Sequence, residues 1–202
     1  MRPIPWPMAL AAVLLLGGAA YAAVPLGAPI PMADAKMENV DGRHLTLAEA
    51  RGEKGTLVVF SCNHCPYVQA WQGRMVALGN EYAGKGIGVV LVNPNDPTVY
   101  PTDDLATMKQ VAAREGYRFA YVVDATSDVA RAFGATRTPE AFLFDAAGRL
   151  VYHGAIDDNA HEPDRVEHRY LRDALDALLA GRPVAPAKVP FIGCSIKLRP
   201  PP

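Results

Sequence analysis

Cys62 and Cys65 lie in the stretch FSCNHCPYV, residues 60–68, separated by two residues, one of which is His64. Two thiols at this spacing can close a disulfide, clip a metal ion or simply pack. A motif that ends a strand and opens a helix favours the first. A helix N-terminus offers unpaired N–H groups and a partial positive charge, and both stabilise a thiolate. Such a site takes a cysteine pKa from about 8.5 to roughly 3.5–7.5. The thiolate is the attacking species in disulfide exchange. Cys62 is therefore read as the attacking residue and Cys65, one helical turn on, as the residue that releases the mixed disulfide. His64 adds positive charge when protonated. Pro66 removes a donor where none is needed.

Other chemistries stay open at this level. Two structural thiols could share a helical turn. Zinc needs four ligands, and the chain has no second CxxC and no HxxxH. Covalent haem needs CxxCH, but residue 66 is proline. Copper(I) on Cys62, Cys65 and His64 is chemically reasonable. The third cysteine, Cys194, either packs as a small apolar side chain or approaches the pair as a third thiol. Asp157 and Asp158 read as a loop before the last helix rather than an acid/base pair. His44, His153, His161 and His168 show no ligand spacing and read as surface or loop residues.

The elements that must position the motif follow from hydrophobic period. Thr56 to Phe60 is a short apolar run suited to a strand buried on both faces. Val68, Trp71, Met75, Leu78 and Tyr82 then recur at spacings of three and four, one face of an amphipathic helix. Ile87 to Val92 is a second buried strand, and Asn93 to Pro97 a loop. Leu105, Met108, Val111 and Ala112 mark a helix ending at Gly116. Phe119 to Val123 is a third strand. Ser127 caps a short helix that stops at Gly134. Ala141 to Phe144 and Leu150 to His153 flank a hairpin turn. Asp164 and Glu167 open the last helix, whose stripe runs from Val166 to Leu179. Upstream, Thr46 and Glu49 form a capping box for a short helix ending at Gly52. Strands alternating with helices imply an α/β fold: a central, mostly parallel sheet with helices on both faces, closed by an antiparallel hairpin.

The 202 residues suggest one domain with extensions. A net charge of -1 gives no support for nucleic acid or an anionic membrane as partner. Residues 1–22 read as a signal peptide: Arg2, an apolar run from Met8 to Val24, and the small-x-small site Ala20-Tyr21-Ala22. The alternative is an uncleaved N-terminal anchor. Either way the domain is expected outside the cytoplasm, in the periplasm, where disulfides form. Residues 23–36 read as a leader or linker, 37–181 as the domain, and 182–202 as a proline-rich extension.

The stretches CNHCPYVQAW, TPEAFLFD, YHGAIDDN, LRDALDALLAG and IGCSIK resemble the exported thioredoxin-like redoxins grouped with alkyl hydroperoxide reductase/thiol-specific antioxidant domains. That resemblance implies a thioredoxin-like fold with a mixed central sheet. It also implies a cis peptide before Pro139, facing the CxxC, so that the backbone of Thr138 can pair with an extended substrate segment. Arg137 stands where close relatives often carry a cysteine. It could favour a nearby thiolate, bind an acidic partner, or be a solvated surface residue. The buried acid that typical thioredoxins carry in the strand before the CxxC is absent from residues 55–61.

The resemblance implies thiol–disulfide exchange with exported proteins, more in the reductive than the oxidative direction. The electron donor would be a membrane or periplasmic protein. No cofactor or metal is expected, and the chain is read as a monomer. Direct peroxidase activity is the alternative. Peroxiredoxins place a threonine or serine three residues before the attacking cysteine; here that residue is Val59, so peroxide would not be oriented. Copper handling through the CxxC is the non-enzymatic alternative.

Overall fold

The computed structural model describes residues 22–200. The expected signal segment lies outside the described residues except at Ala22. Among the described residues no helix is long and apolar enough to cross a membrane.

The run after Lys54 forms β3 (Gly55–Phe60), buried at every position. Its side chains alternate between two cores, as strand pleating requires. Leu57 and Val59 join one core with Ile87, Val89 and Leu91. Val58 and Phe60 join the other with Val90 and Val92. The helix α1 (Pro66–Ala83) lays Val68, Trp71, Met75, Leu78 and Tyr82 on the first core. Burying each such side chain contributes about 1.5–3 kcal/mol, which offsets the ordering of the chain. α2 (Leu105–Glu115) adds Met108 to that face, and α4 (Tyr170–Leu179) adds Leu171, Ala174 and Leu175. α3 (Asp128–Phe133) covers the opposite face with Val129, Ala130 and Phe133.

Two short strands at the edge, β1 (Met37–Asn39) and β2 (His44–Leu45), were not read from the sequence. They enter a seven-stranded sheet of order β2-β1-β5-β4-β3-β7-β8. Here β4 is Ile87–Asn93, β5 Ala120–Val123, β7 Glu140–Asp145 and β8 Leu150–Gly154. β3, β4 and β5 run parallel; β7 is antiparallel to β3 and β8 to β7. A separate ribbon pairs β6 (Arg137–Thr138) with β9 (Cys194–Ser195).

Local signals were overridden in four places. The Thr46–Glu49 capping box forms, with Thr46 N–H on Glu49 Oε2 at 2.8 Å and Glu49 N–H on Thr46 Oγ1 at 3.1 Å, but it closes only a turn. Ser127 precedes α3 without capping it; its hydroxyl donates to the Pro94 carbonyl at 2.6 Å. The last helix starts at Tyr170, not at Asp164. Asp158 takes the N–H groups of Glu167 and His168, and Leu171 N–H bonds Ile156 O, so the preceding segment is held against the strand end. Residues 24–30, read as linker, are packed: Val24 N–H bonds Phe133 O at 3.0 Å, Gly27 N–H bonds Leu150 O at 2.8 Å, and Val24 and Ile30 are buried in the second core.

Candidate active site: a buried dithiol under a C-terminal strand

β3 ends at Phe60, and the CxxC occupies the loop before α1. The helix starts later than the sequence suggests. Pro66 is its first residue and Cys65 its N-cap, so the positive helix end lies at Cys65 rather than Cys62. Both cysteines are buried, Cys62 at 1% and Cys65 at 0% exposure.

The partner on the other side is Thr138. The Thr138–Pro139 peptide is cis. The Thr138 hydroxyl lies 3.2 Å from Cys62 Sγ, and the Cys65 thiol donates to Thr138 O at 3.2 Å in the fully protonated pair. One residue thus holds both sulfurs. When one proton leaves, the two sites differ. Cys65 is lowered, first by the proton it shares with Cys62 and, against the cost of burial, by the Cys194 thiol and the N–H groups of Val68 and Cys194. Cys62 is pushed up by that shared proton, by burial and by the charge of Asp103. The sequence reads Cys62 as the attacking thiol, and there the Thr138 hydroxyl lies within donor reach; Cys65 Sγ faces the Thr138 carbonyl.

Asp103, which sequence reasoning missed, is the buried acid beside the motif. Its side chain is fully buried. It accepts from the N–H groups of Asn63 at 2.7 Å and His64 at 3.1 Å, and from Asn95 Nδ2 at 2.8 Å. It also meets His64 Nδ1 at 2.6 Å. Tyr100 stacks on the His64 ring with centroids 3.7 Å apart. His64 is therefore fixed between a carboxylate and a ring. No pattern in the sequence signalled Asp103: it arrives from a turn after β4, 40 residues from Asn63.

A second buried acid sits at the start of β7. Glu140 is 1% exposed; its Oε2 accepts from Thr136 N–H at 2.8 Å and Arg137 N–H at 3.0 Å, and its Oε1 meets His153 Nε2 at 2.7 Å. His153, read as a surface or loop residue, is buried on β8 and stacked on Phe142 at 4.3 Å. The other three histidines, His44, His161 and His168, are exposed. Asp157 is buried and binds Trp71 Nε1 at 2.6 Å and Arg74 Nη1 at 2.5 Å, while Asp158 is exposed. The pair does structural work on either side of the loop.

Arg137 does not project freely. Its guanidinium donates to Gly193 O at 2.9 Å, and its strand pairs with β9. Cys194 faces Thr138 in that ladder and packs against the core that contains Cys62 and Cys65. Its thiol is pushed up to about 11, first by burial and then by Cys65. Sγ of Cys62, a ring nitrogen of His64 and a carboxylate oxygen of Asp103 all lie within 4.8 Å of one another, a donor set that suits a metal ion in principle.

Known proteins share this arrangement of strands. A solved structure of an uncharacterized conserved protein from Geobacillus kaustophilus is 41% identical, with a TM-score of 0.80 over 87% of this chain and 93% of that one. A thioredoxin-like protein solved in its oxidized form has a TM-score of 0.62 at 21% identity, over 79% of this chain and 99% of that one, which shows the thioredoxin-like fold. The thiol-disulfide oxidoreductase ResA of Halalkalibacterium halodurans is 28% identical over 115 residues, 57% of this chain. The match spans 61% of ResA, less than two thirds of its length. The AhpC/TSA family model matches residues 26–153, a segment that carries β1 to β7, the CxxC and Thr138-Pro139. On that match the chain belongs to the AhpC/TSA family.

Proposed function

We propose that the chain is a thiol–disulfide oxidoreductase that exchanges the Cys62–Cys65 pair with cysteines of exported proteins. The observation that carries this reading is the convergence of both buried sulfurs on Thr138 beside the cis Thr138–Pro139 peptide. Cys65, at the N-cap of α1, is the better leaving group, since the positive helix end favours its thiolate and a stabilised thiolate leaves faster. An incoming thiolate is therefore directed to Cys62 of the disulfide: a bond forms to Cys62 and the Cys62–Cys65 bond breaks, releasing Cys65 as thiolate. In reverse, Cys65 attacks a mixed disulfide held at Cys62 and expels the partner thiolate. His64 and Asp103 position the loop that carries Cys62. The ResA relative carries the oxidoreductase name and supports the same class.

For direction, the sequence favours reduction of partner proteins, fed by a membrane or periplasmic donor. The stabilised Cys65 thiolate works against this, because it lowers the free energy of the reduced pair and makes the disulfide more oxidising. The reduction potential separates the two. The protein would be equilibrated in glutathione buffers, alkylated and weighed. A midpoint near about -120 mV makes the pair a disulfide donor and one near about -270 mV a reductase. Failure of Cys62 and Cys65 to titrate as a two-electron pair would refute exchange.

A metal-binding reading has one observation in its favour, the Cys62, His64 and Asp103 cluster. It would require breaking the 2.6 Å His64–Asp103 contact. Stoichiometric copper(I) uptake by the reduced protein, without exchange activity, would move this reading to the front. The peroxidase reading lacks a hydroxyl at Val59, which is packed in the core.

A further inference from the structure

Extended chain already occupies the edge of Thr138. β9 pairs antiparallel with β6, with Thr138 opposite Cys194 and Arg137 opposite Ser195. Directly opposed residues in an antiparallel pair project to the same face. The Thr138 side chain reaches Cys62 Sγ, so Cys194 projects toward the same dithiol and packs against the core that holds Cys62 and Cys65.

The segment around Cys194 is fitted to this place. A Cβ at Gly193 would lie 2.4 Å from Thr138 O, so only glycine lets the backbone come this close. Arg137 holds the Gly193 carbonyl at 2.9 Å, and Ile196 N–H bonds Thr136 O at 3.0 Å. Further on, Lys197 bonds Asn95 Oδ1 at 2.8 Å and Asp96 N–H at 2.8 Å through its backbone N–H and carbonyl. Cys62 and Cys65 are buried beneath, and Cys194 is the cysteine that keeps partial exposure.

We propose that Cys194 is a third exchanging thiol, delivered by a strand that takes the substrate's place and connecting the buried pair to solvent. The inference rests on the exchange reading of Cys62 and Cys65. In the oxidised protein the Cys194 sulfur attacks Cys65 Sγ, the sulfur chosen by the fixed position of the strand on β6 and not by leaving-group pKa as for a free thiolate. A Cys65–Cys194 bond forms and the Cys62–Cys65 bond breaks. The proton of Cys194 passes to the departing Cys62 sulfur, so the step is a redox-neutral isomerisation. An external thiolate then attacks Cys194 at the surface and releases Cys65 as its thiolate. A second thiol of the same class completes the two-electron reduction, leaving Cys194 as a thiol and the external pair as a disulfide.

The test uses the full chain, reduced and then treated with oxidised glutathione, quenched in acid, alkylated and mapped by mass spectrometry after proteolysis. The expected result is a Cys65–Cys194 bond, with Cys62 alkylated, in more than about one oxidised molecule in ten, which places the two isomers within about 1.4 kcal/mol. C62S should give the Cys65–Cys194 bond as its main oxidised product. A Cys62–Cys65 bond in the native sequence, with no Cys65–Cys194 bond there or in C62S, overturns this inference and leaves the exchange reading standing. No bond at Cys65 in either protein overturns both.

Discussion

Thr138 and Cys194 face each other across a two-residue antiparallel ladder; Thr138 meets both buried sulfurs, and Cys194 packs against the core that holds them. The strand edge that a partner protein would need is occupied by the chain itself. On the exchange proposed above, access to the dithiol depends on how firmly residues 193–199 are held.

Gly193→Val tests that coupling. The added side chain would collide with Thr138 O and lift the strand, while the CxxC, α1 and the cis peptide stay in place. Losing one or two strand hydrogen bonds costs about 1–2 kcal/mol. The alkylation rate of Cys62 and Cys65 should rise roughly tenfold. An unchanged rate would mean that the strand does not cover the pair.

Asp103→Asn should cost about 2–3 kcal/mol in urea unfolding, because an amide nitrogen would then face donors from Asn63, His64 or Asn95. Removing the charge should also lower the Cys62 pKa, since Asp103 contributes to holding it up. Wild-type stability together with an unshifted thiol profile would show that Asp103 organises nothing here.

The reduced protein should gain stability with pH in a defined window. Cys65 is depressed below the value of about 8.5 of an ordinary thiol, first by the proton it shares with Cys62. A depressed group contributes fully above its unfolded value, and the contribution is lost as pH falls through the folded value. Cys62 is raised, so its contribution is present below about 8.5 and fades above it. As pH rises toward about 8.5, reduced wild type should gain on reduced C65S by at most about 1.4 kcal/mol per pH unit. A flat difference in urea midpoints across that range would place the charge elsewhere.

Glu140→Ala should destabilise by about 3–5 kcal/mol, since it strips partners from Thr136 N–H, Arg137 N–H and His153 at once. Glu140→Gln should cost only roughly 1 kcal/mol, its carbonyl accepting from both amides and its nitrogen facing His153. Equal losses would show that the charge, not the hydrogen-bond pattern, holds the β6 loop.

Period and punctuation determined much of the fold. The apolar runs at residues 56–60 and 87–92 suited buried strands, and the stripe from Val68 to Tyr82 an amphipathic helix, and they form β3, β4 and α1. CxxC spacing marked a candidate site, and the family resemblance named Thr138-Pro139 as its counterpart; the two are adjacent in the fold. What residue types could not announce was pairing across distance. The β1–β2 edge is too short to show a period, the start of α4 is set by Asp158, and the burial of His153 depends on Glu140. Asp103 reaches Asn63 from 40 residues away, and Cys194 reaches Cys65 only because β9 lies on β6. Local sequence determines which groups are available. Which of them share a proton is decided by long-range packing, since a thiolate is stabilised by whatever donors surround it in space and not by its neighbours along the chain.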